Sequence, residues 1–217
     1  MPLLHSENTA MIECFFDCSS PWTWLAFRNL RTMAAELGET VRWKPVLVGG
    51  IFNAVNPSVY EFREKGVPAK QAYLQKDLQD WARHAGVKIV FPPSVFPVNS
   101  VKAMRACCWL IDQGPVQTVM EPFAEAVFKA YWSDDRDIAQ AAVLADVAAA
   151  LGLDAAPLLA AIDTPEVKAR LKANTDEAIA RGAFGSPTIF VGGDDMYFGN
   201  DRLLLVREAV LRRRTAP

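Results

Sequence analysis

Ser20 and Thr23 stand three residues apart in the stretch "DCSSPWTW", Asp17 to Trp24. Each carries a hydroxyl, a group that donates one hydrogen bond and accepts others but cannot form a disulfide. Ser20-Pro21 is also the signature of a helix start. Serine is a favoured N-cap, and proline fits the first helical position because its missing N–H costs nothing there. A helix N-terminus presents exposed N–H groups and the positive end of the helix dipole. A hydroxyl at that point suits either plain capping or the binding of an anion, and the octapeptide alone leaves both open.

The elements around the junction set its position. "AMIECFFD", Ala10 to Asp17, is a short apolar run that predicts a buried strand. Trp24, Leu25, Phe27, Leu30, Met33, Ala34 and Leu37 follow with helical spacing until Gly38. "TVRWKPVLVGG", Thr40 to Gly50, predicts a second strand ended by Pro45 and the glycine pair. Strand, helix and strand in so short a span imply parallel pairing. From about Asn53 to Ala180 the pattern is helical almost throughout. Pro68 opens one helix that runs to Gly86, another covers Ser100 to Ile111, Asp137 caps an Ala-rich helix ending near Gly152, and Thr164-Pro165 starts one reaching Arg181. "SPTIFVGGDDMYFG", Ser186 to Gly199, predicts a hairpin, and a last helix runs from Asn200 or Asp201 to about Arg213.

A chain of 217 residues, 51% of them hydrophobic, is long enough for one large domain or one split by an insertion. The order β-α-β, helices, β-β-α is that of an α/β thioredoxin-like fold with an all-helical domain inserted between its halves. The expected divisions are 1–52 with 181–217 for the thioredoxin-like domain and 53–180 for the insertion. A formal net charge of -2 and a pI near 5.8 give no pull toward nucleic acid or an anionic membrane. No apolar run has the length of a membrane span, and "MPLLHSENTAMIECFF" lacks a leader pattern, so a cytoplasmic protein is expected. Cys14, Cys18, Cys107 and Cys108 form no C-x-x-C pair, and His5 and His84 are far apart in sequence, so structural thiols and no metal site are expected. So few histidines also argue against a Ser-His-Asp triad.

In a thioredoxin fold the first strand-to-helix junction holds the redox pair C-x-x-C, where the helix terminus stabilises a thiolate. Here S-P-W-T puts oxygen at both ends, which excludes dithiol exchange by this pair. A ligand that brings its own sulfur would suit what remains. "AFGSPT", Ala183 to Thr188, places Pro187 where such folds hold a cis proline facing the first helix, leaving the backbone of Ser186 open to a peptide-like ligand.

"FFDCSSPWTWLAF", "KDLQDWARHAGV", "FPVNSVKAMRA", "ARGAFGSPTIFVGG" and "MYFGNDRL" together resemble the 2-hydroxychromene-2-carboxylate isomerase family. That family is similar to kappa-class glutathione transferases and, more distantly, to periplasmic disulfide oxidoreductases of the DsbA type. The resemblance covers about Met11 to Val210. It implies glutathione as cofactor, a small aromatic substrate and a homodimer. It makes Ser20 the catalytic hydroxyl on the glutathione sulfur, with Ser186 and Pro187 on the cysteinyl backbone and Asn200 and Asp201 at the γ-glutamyl end. Asn56 and Lys70 would reach the tripeptide from the helical domain; exposed polar residues of these types are equally ordinary in a turn and on a solvated helix.

Trp22 stands where these isomerases often carry Tyr or Phe, and is either a wall of the substrate pocket or core. Ser186 replaces a more usual apolar residue, a change expected to matter little to a backbone contact. Lys44, at the end of the second strand, is a candidate cation for a substrate carboxylate. The implied reaction is glutathione-dependent cis–trans isomerisation of 2-hydroxychromene-2-carboxylate or a related arylidene pyruvate by reversible thiolate addition. The rival readings are a kappa-like glutathione transferase or peroxidase, and a non-catalytic thioredoxin-like module that binds extended peptide at Ser186.

Overall fold

The computed structural model describes residues 12–215; Ala10, Met11, His5 and the rest of the N-terminal stretch named above lie outside them. The chain runs β1 (Ile12–Phe16), α1 (Pro21–Leu37), β2 (Val41–Pro45), α2 (Val48–Val55), α3 (Ser58–Lys65), α4 (Pro68–His84), α5 (Val101–Leu110), α6 (Met120–Trp132), α7 (Ala141–Ala150), α8 (Ala155–Ala161) and α9 (Pro165–Ala180). It then closes with β3 (Thr188–Val191), β4 (Asp195–Phe198), a 3-10 turn at Asn200–Arg202 and α10 (Leu203–Thr215). The four strands form one sheet in the order β2-β1-β3-β4. β1 pairs parallel with β2 and antiparallel with β3, and β4 pairs antiparallel with β3. This is the thioredoxin-like arrangement expected from the order of elements.

Successive residues of β1 point to opposite faces of the sheet. Ile12, Cys14 and Phe16 enter the larger core, shared with α1, α5 and α6. There Phe16, Phe27, Trp43 and Phe128 form an aromatic cluster with centroids 4.3 to 6.5 Å apart. Each such ring contributes about 1.5–3 kcal/mol by burial. Phe15 enters a smaller core with Val46, Ile51, Ala178 and Phe190, beneath α2 and α9. Gly38 ends α1 in the left-handed conformation (φ 65°), its N–H turned back to Ala34 and Ala35 carbonyls.

Two expectations are corrected. Gly49 and Gly50 do not end β2 but lie in the first turn of α2. This helix has no side-chain cap of its own; tertiary partners take its first N–H groups, Leu47 donating to Thr175 Oγ1 (3.1 Å) and Val48 to Asp17 Oδ2 (2.8 Å). Gly50 packs closely on α9, where a Cβ would meet Thr175 Cγ2 at 3.3 Å. Likewise Asp137 does not cap the Ala-rich helix, which starts four residues later. Its carboxylate instead accepts from Ala139 N–H (2.9 Å) and Gln140 Nε2 (2.7 Å) in the preceding turn. The division drawn at residue 52 falls inside α2, which packs on α9 and so joins the sheet to the helical segment.

Candidate functional site

The site is built where β1 runs into α1 and faces the loop before β3. Ser20 is extended (φ −112°, ψ 122°), and its Oγ accepts from Thr23 N–H at 3.2 Å, so it caps α1 as its sequence predicts. The same oxygen also donates to the carbonyl of Ser186, 3.3 Å away. The Ser186–Pro187 bond is cis, and the Pro187 carbonyl accepts from Gly199 N–H at 3.2 Å, which ties the end of β4 to this loop.

The Ser186 side chain is part of the junction, a role its expected backbone contact did not require. It is 6% exposed, and its Oγ accepts from Asp17 N–H at 3.1 Å and pairs with Thr23 Oγ1 at 2.9 Å. Ser20 and Thr23, the two hydroxyls three apart, thus converge on one residue 166 and 163 positions away.

Beneath them lies Asp17, a residue not singled out in the sequence. Its Oδ1 accepts from Ser19 N–H (2.9 Å), its Oδ2 from Val48 N–H (2.8 Å), and Ser100 adds a hydroxyl. The carboxylate therefore holds the junction, the start of α2 and the head of α5 together. Ser100 makes no side-chain cap on α5. Burial pushes the Asp17 carboxyl above its usual range, while these donors pull it back. The sequence signal was a single acid ending an apolar strand. Cys18, the next residue, donates its N–H to Met104 Sδ (3.3 Å), and its carbonyl accepts from Trp132 Nε1 (3.0 Å). α5 and α6 thereby clamp the junction from the helical side.

Of the remaining candidates, the structure ties Asn56 directly to the loop before β3. Asn56, at the end of α2, donates from Nδ2 to the Phe184 carbonyl at 3.0 Å, two residues before Ser186. Asp201 follows Gly199 closely and is exposed, ion-paired with Arg202 at 2.5 Å. Gly199 has φ 99°, a conformation that favours glycine, and Asp201 Oδ1 lies 2.7 Å from where its Cβ would be. Lys70 stands exposed in the first turn of α4. Trp22 is half-buried and packs against the larger core.

Asn200, expected at the γ-glutamyl end, follows Gly199 and keeps its buried Nδ2 without a partner among the described residues, whereas Lys44 is engaged on the far side of the sheet. Asn200 is 4% exposed, and its Oδ1 accepts from Asn29 Nδ2 at 2.8 Å, about 13 Å along α1 from the cap. Lys44 lies on the α9 face of the sheet, its ammonium 2.6 Å from Glu177 and 3.4 Å from Glu13 and packed over the Phe15 ring. Two carboxylates already occupy that cation.

Cys14, Cys18, Cys107 and Cys108 are all buried and free. Burial raises the Cys14 and Cys18 thiols and pushes Cys108 up to about 12, so none of these three is a thiolate at neutral pH. Among the described residues no group of His, Cys, Asp and Glu could hold a metal ion, and no helix is long and apolar enough to cross a membrane. The junction thus offers a helix terminus and one partly exposed hydroxyl, that of Ser20, and its buried cysteine thiols are not reactive.

Against known families, residues 11–211 match the DSBA-like thioredoxin domain. The chain belongs to that family. Among curated proteins it is similar to 2-hydroxychromene-2-carboxylate isomerase of Pseudomonas putida, with 29% identity over 93% of this chain and 95% of that protein. It is equally similar to human Glutathione S-transferase kappa 1, at 29% identity over 90% of this chain and 88% of that one. Among solved structures, a 2-hydroxychromene-2-carboxylate isomerase superposes with a TM-score of 0.78 at 28% identity, covering 94% and 95% of the two chains. The resemblance seen in the motifs therefore extends through the fold, to proteins named as an isomerase and a glutathione transferase.

Proposed function

We propose that this chain is a glutathione-dependent cis–trans isomerase acting on 2-hydroxychromene-2-carboxylate or a related arylidene pyruvate. The observation that carries the reading is the pair of hydroxyls, Ser20 and Thr23, converging on Ser186 at the head of α1 where no protein thiol is available. Glutathione fits this donor set and supplies a thiolate able to add reversibly to a conjugated double bond, so that the bond can rotate before elimination.

The chain's own residues bind and orient. The Ser20 hydroxyl and the α1 dipole stabilise negative charge on the sulfur and so lower its pKa. The Ser186 carbonyl is an acceptor for a peptide N–H, and Asp201 is a counter-charge for a γ-glutamyl ammonium. Asn56 and Lys70 reach the far end of the tripeptide, where an ammonium suits a carboxylate. The partly exposed Trp22 ring supplies one wall for an aromatic substrate. Lys44 is already ion-paired, so the substrate carboxylate is held by another group. A homodimer belongs to the same reading, supported by Tyr60, Phe62 and Tyr73 left exposed on α3 and α4, and a cytoplasmic location is part of it.

The test is the absorbance change of 2-hydroxychromene-2-carboxylate on conversion to its trans ring-opened isomer, followed with and without glutathione. Conversion that requires glutathione and returns all of its free thiol supports isomerisation. The equal similarity to Glutathione S-transferase kappa 1 keeps conjugation as the second reading, and that activity would consume the thiol as product forms. Absence of glutathione binding by calorimetry would sink both.

A further inference from the structure

Residue 186 is where the two hydroxyls of the junction meet, and it holds them by different means. Its carbonyl takes the Ser20 proton, whereas its hydroxyl pairs with Thr23 and accepts the Asp17 N–H. An apolar side chain at this position would keep the first contact and lose the other two. We propose that the Ser186 hydroxyl is a positioning residue of the thiol site: it fixes the separation between the first turn of α1 and the cis-proline loop, and so aims the Ser20 hydroxyl at the ligand sulfur. This inference rests on the glutathione reading above.

The physical argument is one of satisfaction and spacing. Thr23 and Ser186 are both buried, and so is the Asp17 backbone. Deleting the Ser186 oxygen leaves an N–H and a hydroxyl without partners, which the structure relieves by letting loop and helix part. Ser20 feels that movement directly, because its hydroxyl is held between Thr23 N–H on the helix and Ser186 C=O on the loop. The Ser186 carbonyl that accepts the Ser20 hydroxyl hydrogen bond is also the acceptor proposed for a peptide N–H. Its use by a ligand frees the Ser20 hydroxyl to turn toward sulfur, and this exchange needs the loop at its present distance.

The experiment compares wild type, Ser186→Ala and Ser186→Thr by the ultraviolet absorbance of bound glutathione thiolate against pH, with the fold checked by circular dichroism. Ser186→Ala is expected to raise the midpoint by about half to one pH unit, and Ser186→Thr to restore it. In the ligand-free protein, amide exchange at Asp17 should quicken in Ser186→Ala alone. A Ser186→Ala midpoint coincident with wild type overturns the proposal, whatever the loss of stability. If that variant does not fold, Thr23→Val removes the same hydroxyl pair from the other side and is judged by the same criterion. A wild type that shows no thiolate absorbance at all refutes the glutathione reading itself, an outcome distinct from equal midpoints.

Discussion

The Ser20 hydroxyl donates to the Ser186 carbonyl at 3.3 Å, joining the head of the first helix to a loop 166 residues later. This contact distinguishes the junction from a plain N-cap. A cap needs only the Thr23 N–H, which Ser20 also binds. The second bond holds the Ser20 hydroxyl between the helix head and the loop.

Ser20→Ala removes both bonds. Loss of the cap and of the cross-link should cost about 1–2 kcal/mol in urea unfolding. If Ser20 holds the thiolate, turnover per folded molecule should also fall by about tenfold or more. Turnover equal to wild type, after correction for folded fraction, would show the hydroxyl to be structural.

The native thiols should be inert. Cys14, Cys18, Cys107 and Cys108 are buried, and the thiols of Cys14, Cys18 and Cys108 are raised by that burial. A chromogenic disulfide reagent is expected to label the folded protein slowly and to titrate all four cysteines in guanidinium. The protein should likewise not accelerate insulin reduction by dithiothreitol. Rapid labelling of the native chain would contradict both expectations.

Asp17 gives stability an acid dependence of definite sign. Its folded-state carboxyl titrates above its ordinary value of 3.8 because burial disfavours the charge. The native state therefore holds this proton more tightly than the unfolded chain. Its contribution is fully present below the unfolded value and is lost as pH rises through the folded one. Ser100 can serve either form, donating to the carboxylate or accepting from the acid. Urea unfolding of wild type and Asp17→Asn over a pH series should show the wild-type advantage shrinking as pH rises across that window. A constant difference would mean that Asp17 does not titrate there.

Asp201 and Asn200 are adjacent in sequence, and their variants should behave differently. Asp201→Ala is expected to weaken glutathione binding about tenfold in calorimetry, the low end for a charge-assisted hydrogen bond because this carboxylate is exposed. Asn200→Ala should leave affinity unchanged and lower stability, since it strips Asn29 of its buried partner. The reverse pattern would move the ligand from Asp201 to Asn200.

The amino-acid sequence by itself determined the order of elements, the cap at Ser20-Pro21, the stop at Gly38 and the hairpin that follows Pro187. These depend on periodicity and on the local conformational preferences of single residues, which neighbours in the chain carry. It also determined that S-P-W-T cannot perform dithiol exchange, since residue identity alone decides that chemistry. Only the tertiary structure decided what the polar groups do. Asp17 in the sequence is one acid after two phenylalanines; in the fold it binds Ser19, Val48 and Ser100 at once. Gly49 and Gly50 have the composition of a turn and became helix because Asp17 and Thr175 supply the first donors' partners. Lys44 has suitable chemistry for a site but is held by Glu177 and Glu13, while Asn200 gives its Oδ1 to Asn29. A buried donor or acceptor must find its complement wherever the chain brings one, and here Ser186 lies more than 160 residues from the two hydroxyls it holds.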